Sequence, residues 1–149
     1  MSVDVRICLV EETDIPELAS LESRSSDRPW SEADLGGSLK VGDGCYKLIS
    51  GTGLIGYCVV RETGGELEVL NLVVDRSVQR QGYGGHLLSA VMQLPRYAGV
   101  SRVWLEVAQD NGPAKSLYRR LGFVHAGIRK DYYGRGGNPI DACILVKNL

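Results

Sequence analysis

The chain has 149 residues, enough for one domain that buries roughly two-thirds of its unfolded surface. Its 17 basic and 18 acidic residues leave a formal charge of −1, and 44% hydrophobic with 23% charged residues is an ordinary globular composition. That balance argues against a nucleic-acid partner, and no run of like charge creates a local basic patch. No apolar stretch approaches the ~18 residues that a membrane span needs. The opening residues 1–6 carry an early acid, Asp4, which does not suit a secretory leader. Cys8, Cys45, Cys58 and Cys143 form no CxxC pair, and only His86 and His125 could join them, so no metal site is expected. The expectation is reduced, mostly buried thiols in a cytoplasmic protein without a membrane partner.

Residues 3–9 alternate apolar side chains at Val3, Val5, Ile7 and Leu9, the period of a half-buried strand. Thr13 or Asp14 is placed to cap a helix whose stripe includes Ile15, Leu18 and Ala19. After Pro29 and Trp30, Ser31 with Asp34 has the spacing of a capping box opening a short helix through Leu39. Residues 45–50, 54–62 and 66–74 then read as three strands of a meander. Leu87, Leu88, Val91 and Met92 form a helical stripe that Pro95 ends, and residues 102–108 form a strand. Ala114, Leu117, Tyr118 and Leu121 share one helix face, with Gly122 as the residue just past its end. Residues 123–129 and 142–147 are the closing strands. The expected fold is a single α/β domain, residues 1–149, with a mixed sheet, and a fold class of this kind does not specify a function.

Two glycine motifs compete for attention. Gly51, Gly53 and Gly56 match GxGxxG, with Asp75 the expected ~20 residues on. A dinucleotide motif has to open a helix, whereas this one runs into Tyr57-Cys58-Val59-Val60, which suits a strand. A hairpin turn accounts for it. The second motif, Gln79-Arg80-Gln81-Gly82-Tyr83-Gly84-Gly85, follows a strand and opens a helix. Glycines there admit close backbone approach, the helix start adds unpaired N–H groups, and Arg80 adds a permanent charge with forked donors. The alternative is an ordinary glycine-rich strand-to-helix turn.

Gln79-x-x-Gly82-x-Gly84 resembles the (Q/R)xxGx(G/A) motif of GNAT acetyltransferases. The resemblance extends through Leu70-Asn71-Leu72-Val73-Val74-Asp75, Trp104-Leu105-Glu106-Val107, Asn111-x-x-Ala114, Leu117-Tyr118-x-x-Leu121-Gly122-Phe123 and Arg129-x-x-Tyr132-Tyr133. With Pro29-Trp30-Ser31, this order resembles the RimI type, bacterial enzymes that acetylate the N-terminal alanine of a small-subunit ribosomal protein. The resemblance implies a mostly antiparallel sheet of six or seven strands with about four helices, and a coenzyme cleft between the fourth and fifth strands. It implies acetyl-coenzyme A as co-substrate, and a protein N-terminus as partner. The pantetheine arm would pair with the backbone of Leu72, Val73 and Val74. The pyrophosphate would lie against Arg80, Gln81, Gly82, Tyr83, Gly84 and Gly85, with Asn111 a further coenzyme contact. Glu106 would be the general base and Tyr118 the general acid.

The residues themselves leave alternatives open. Glu106, mid-strand between Leu105 and Val107, is exposed, ion-paired or functional, and partial burial would suit it to accept a proton near neutral pH. Glu66 and Glu68 are rival bases on a neighbouring strand. Tyr118 lies on an apolar stripe and, without the resemblance, reads as a core tyrosine with a satisfied hydroxyl. Asn111 doubles as a helix N-cap, and Pro113 is tolerated in the first turn. Gly85 stands where the family often has a polar or basic residue, and Gly134-Arg135-Gly136-Gly137-Asn138 is an unusually flexible link before the last strand. The rival functions are a GNAT enzyme acting on a small amine or a lysine, and a non-catalytic acyl-coenzyme A sensor. A polycationic small amine would want a dense acidic pocket, and the acids here are scattered.

Overall fold

The structure is a computed structural model that describes residues 4–51, 53–133 and 139–149, with the backbone alone for Tyr133. Val3, Thr52, the Tyr133 side chain and the glycine-rich segment 134–138 therefore lie outside the described residues. In chain order the elements are β1 (Val5–Leu9), α1 (Ile15–Ser23), α2 (Glu32–Lys40), β2 (Gly44–Ser50), β3 (Gly53–Thr63), β4 (Glu66–Val74), α3 (Tyr83–Met92), β5 (Arg102–Ala108), α4 (Gly112–Arg120), β6 (Val124–Tyr133) and β7 (Ile140–Asn148). Single 3-10 turns at Glu12–Asp14, Arg76–Val78 and Pro95–Tyr97 punctuate them.

Seven strands form one sheet in the order β1-β2-β3-β4-β5-β7-β6. All neighbours are antiparallel except β4 and β5, which run parallel because α3 carries the chain back between them. Alternation decides the faces. Val103, Leu105 and Val107 of β5 are buried with Leu87, Leu88 and Tyr118 beneath α3 and α4. Leu18, Leu21 and Leu35 of α1 and α2 cover Tyr57, Val59 and Val73 on the opposite face. Helices thus cover both faces of the sheet, and each face has its own core.

The start of α1 differs in part from the sequence expectation. Asp14 stands at the N-cap position of α1 as expected but makes no side-chain capping bond to it: Glu11 and Asp14 form a capping box around the preceding 3-10 turn, and the Glu11 amide donates to Asp14 at 2.8 Å. The Asp14 carboxylate also takes the Lys47 ammonium at 2.8 and 2.9 Å, a tertiary partner that local spacing does not reveal. At α2 the expected box is present, with the Asp34 amide donating to Ser31 Oγ and the Ser31 amide donating back to Asp34. The first glycine motif lies in the β2–β3 hairpin, where Ser50 pairs with Gly53. A Cβ at Gly56 would stand 2.7 Å from the Val73 carbonyl oxygen, so this glycine lets β3 approach β4.

Candidate active site

β4 and β5 are hydrogen-bonded neighbours for four rungs, from Glu66 opposite Arg102 to Val69 opposite Leu105. Beyond Val69 the ladder stops, although β4 continues to Val74 and β5 to Ala108. A bulge contributes to the parting. Val59 pairs with Asn71 and Val60 with Val69, which leaves Leu70 as an extra residue in β4. Bulges bend a strand and increase its twist. Unbroken alternation would put Val73 on the face of Leu67 and Val69, yet Val73 packs in the core under α1 and α2. The edge of Leu72, Val73 and Val74 that faces β5 has no strand against it in the ladder, while their other edge pairs with Cys58, Tyr57 and Gly56 of β3.

The second glycine motif lies at the end of that edge. Arg80 has φ +64° and Gly82 φ +88°, and left-handed residues in such a turn bring successive backbone N–H groups to one side. Gln79 donates from Nε2 to the Val74 carbonyl at 2.9 Å, bracing the loop against β4. Gly82 begins α3 without a side-chain cap, so the donors of its first turn are not closed by a neighbouring side chain. Arg80, Gln81 and Gly82 are exposed, and Tyr83 is half-buried against the core. Gly84 is different. It is buried, and a Cβ there would meet Leu117 Cδ2 at 3.2 Å and Val74 Cγ2 at 3.6 Å. Gly85 similarly faces Leu121 at 3.3 Å. These two glycines let α3 pack against α4, a reason for them that spacing alone does not supply.

Glu106 stands one residue past the last β4–β5 rung, on the face opposite Leu105 and Val107. Its side chain is 12% exposed, and both carboxylate oxygens accept from Nη1 of Arg129, at 3.0 and 3.2 Å. The Arg129 guanidinium also lies over the Tyr132 ring, 4.6 Å from its centroid. Of the rival bases, Glu66 is at the closed end of the fork and ion-paired with Arg102 at 3.3 Å on the surface. Glu68 is nearer, one rung below the parting. Burial, and then the neighbouring charge of Glu106, push the Glu68 carboxyl above the usual range, against the pull of Arg61 and Arg129.

Tyr118 is buried under the other face, its ring edge-on to Phe123 at 5.6 Å. Glu106 and Tyr118 thus flank the fork from opposite faces of the sheet. Asn111 caps α4, accepting from the Ala114 amide at 3.2 Å, and Pro113 sits in the first turn as expected. Sequence reading passed over one further group. The Glu22 side chain, only 1% exposed, accepts from the Tyr57 hydroxyl and from Asn71 Nδ2, the latter at 2.9 Å, and from the Trp30 amide. It ties α1, the segment before α2, β3 and the bulged part of β4 together. A glutamate in the last turn of α1, beside apolar neighbours at Leu18 and Leu21, was the available signal. Among the described residues, no group of three or more His, Cys, Asp or Glu side chains could hold a metal ion.

Residues 11–123 match the model of the Acetyltransferase (GNAT) family, about three-quarters of the chain. The chain belongs to the GNAT acetyltransferase family. A ribosomal protein bS18-alanine N-acetyltransferase of Escherichia coli is 32% identical over 139 residues, covering 93% of this chain and 94% of the relative. The crystal structure of the ribosomal-protein-S18-alanine N-acetyltransferase from Escherichia coli superposes with a TM-score of 0.87 at 30% identity, covering 97% of this chain and 94% of that one. A Bacillus subtilis acetyltransferase solved in complex with CoA shares the fold, with a TM-score of 0.79 at 24% identity over 98% of this chain and 99% of that one. The RimI-type resemblance noted in the sequence thus holds over nearly the whole GNAT chain, and the activity is that of an acetyl-coenzyme A-dependent N-acetyltransferase. No helix among the described residues is long and apolar enough to cross a membrane.

Proposed function

We propose that this GNAT enzyme acetylates the N-terminal α-amine of a protein, with the N-terminal alanine of a small-subunit ribosomal protein as acceptor. The observation that carries the reading is the fork. A largely buried glutamate stands where β4 and β5 part, beside an open strand edge that leads to an uncapped helix start. The acceptor named for the Escherichia coli relatives supports the choice of alanine.

The residues of the fork fit coenzyme A. The edge of Leu72, Val73 and Val74 offers the backbone groups that a pantetheine arm pairs with, as a further strand would. The left-handed Arg80 and Gly82, Gln81 and Tyr83 beside them, and the first turn of α3 suit a pyrophosphate, through oriented N–H groups and the positive end of the helix dipole. Asn111 completes the coenzyme side. When bound, acetyl-coenzyme A supplies the acetyl thioester. Glu106 takes the proton of the acceptor's ammonium, directly or through water, so that the neutral nitrogen bonds to the thioester carbonyl carbon as the carbon–sulfur bond breaks. Tyr118, on the other face, gives its proton to the departing sulfur, and the acylated nitrogen loses its second proton to water as the amide forms. An α-amine with pKa near 7.8 is already ~10–15% neutral at pH 7, whereas a lysine near 10.4 is ~0.04% neutral. One glutamate therefore serves the first more easily.

Replacing Glu106 with Gln tests the reading, because the amide keeps shape and leaves the coenzyme contacts alone. Turnover should fall by ~10²–10⁴-fold with coenzyme affinity retained, and the deficit should shrink as pH passes ~7.8, where the α-amine is neutral without help. The substrate is a peptide with one free N-terminus and one lysine, alongside small amines, with the acetylated site located by mass spectrometry. Full activity of the variant at neutral pH would move the base to Glu68 or to a water chain. Acetyl groups on the lysine alone would overturn the N-terminal acceptor.

A further inference from the structure

The strand that delivers Arg129 is irregular in a way that aims it. Arg129 pairs with Ala142 and Tyr133 with Ile140, so three residues of β6 lie opposite one of β7 between those rungs. Asp131 takes φ +56°, costly for a residue with a side chain, and its amide is held by Asp141 Oδ1 at 2.9 Å. The curl lets Tyr132 lie under the Arg129 guanidinium while one nitrogen straddles both oxygens of Glu106. An exposed arginine is thereby held against the Glu106 carboxylate at the mouth of the fork, itself largely buried.

We propose that Arg129 is a placeholder cation: its guanidinium occupies, in the resting enzyme, the position at Glu106 that the acceptor's ammonium takes, and the acceptor displaces it on binding. This rests on the reading of Glu106 as the base. The electrostatic reason lies in the surroundings. β4 places Glu68 beside Glu106, β3 contributes Arg61 against Glu68, and Asp43 before β2 adds a further negative charge paired with Arg61 at 2.8 Å. β7 puts only Ile144 beside Glu106 in the ladder, and β6 brings Arg129 and Tyr132. Two neighbouring carboxylates cannot both stay charged cheaply without a cation between or beside them. A positive acceptor that replaces a positive side chain leaves that balance unchanged. A neutral ligand in the same place would take that positive charge away from the carboxylates. The device thus favours an acceptor that arrives as an ammonium and yields its proton only at Glu106. Displacement is feasible because the Arg129 side chain is more than half exposed and the arriving ammonium restores a positive charge at the largely buried carboxylate.

Arg129 is a positioning residue on this account, and its signature lies in acceptor KM and in the acid limb of the rate profile. In Arg129→Gln the acceptor meets no competitor, so its KM should fall roughly 3–10-fold while kcat on the alkaline plateau stays within about threefold. Loss of the Arg129 charge favours the protonated carboxylates, so the acid limb of kcat/KM should move up by about one pH unit. Arg129→Lys, which keeps the charge, should leave that limb near its original position. Displacement is read directly from the guanidinium nitrogen resonances of Arg129: a dead-end complex with coenzyme A and unacetylated peptide should shift them to the position they take in unliganded Glu106→Gln. An Arg129 signal unchanged by peptide, or a raised KM with an unmoved acid limb, would overturn the placeholder. Failure of the base reading shows separately, as full turnover of Glu106→Gln.

Discussion

Tyr118 has a place in the core and, in the proposed mechanism, a proton for the leaving sulfur. Its ring packs edge-on against Phe123, and phenylalanine would keep that contact while removing only the hydroxyl. Tyr118→Phe should therefore lower kcat by ten-fold or more, a modest general-acid effect, while the thermal midpoint stays within a few degrees. Near-normal kcat would return Tyr118 to a purely structural role. Glu22 is the complementary case, a buried acid with no proposed part in the chemistry. Burial raises its carboxyl above the ordinary range, although hydrogen bonds from Tyr57, the Trp30 amide and Asn71 pull it down. A carboxyl whose folded value lies above the unfolded ~4.3 binds its proton better when folded. Its contribution to stability is then full below the unfolded value and is lost as pH rises through the folded one. The stability of the parent minus that of Glu22→Gln should accordingly decrease as pH rises above ~4.3, measured by urea unfolding at several pH values. A difference independent of pH would show that Glu22 titrates alike in both states.

At the scale of the element, α3 combines two glycine requirements that a motif merges into one. Gly82 needs its left-handed backbone and has open space around it, whereas Gly84 has helical geometry and no space. Gly84→Val should therefore act first on stability. Pressing a side chain between α3 and Leu117 costs about 1–3 kcal/mol, seen as a lower thermal midpoint without ligand. Gly82→Ala strains the loop backbone by about 1–2 kcal/mol and should weaken coenzyme affinity in calorimetry with the helix packing intact. The reverse pattern would exchange the two roles. The segment between α1 and α2 is fastened in a similar division of labour. Arg24 pairs with Asp75 at 2.7 Å and the Arg76 amide donates to Ser25 at 3.1 Å, joining it to the glycine loop. Glu22 and the Trp30 amide hold it from inside.

For the molecule as a whole, the fork is a sheet left incomplete. Within the seven-stranded sheet β4 and β5 part halfway, and an open edge in a folded protein is a template for another extended group. A coenzyme arm that fills this edge should protect backbone amides there. Hydrogen exchange with and without coenzyme A should show slowed exchange in residues 70–74 and 80–85, with β1 and β6 unaffected. Ligand at 100 times its Kd should also stabilise the fold by ~2.7 kcal/mol. Protection confined to β6 and β7 would place the arm elsewhere.

Local pattern determined much of this protein by itself. The bounds of β4 and β5, the capping box at Ser31, the Asn111 cap and the false dinucleotide motif were all legible, because period, cap spacing and β-branched runs are properties of neighbouring residues. The order of the glycine, glutamate and tyrosine motifs pointed to the family for the same reason. Only the tertiary structure showed that Glu106, and not Glu66 or Glu68, stands just past the parting, since that depends on where two distant strands stop pairing. The bulge at Leu70, the partnership of Glu22 with Tyr57 and Asn71, and the packing demand at Gly84 are likewise set by groups tens of residues away. Arg129 shows the limit most sharply. Its charge is written in the chain, but its placement on Glu106 follows from a strand register and a left-handed Asp131 that no local periodicity encodes.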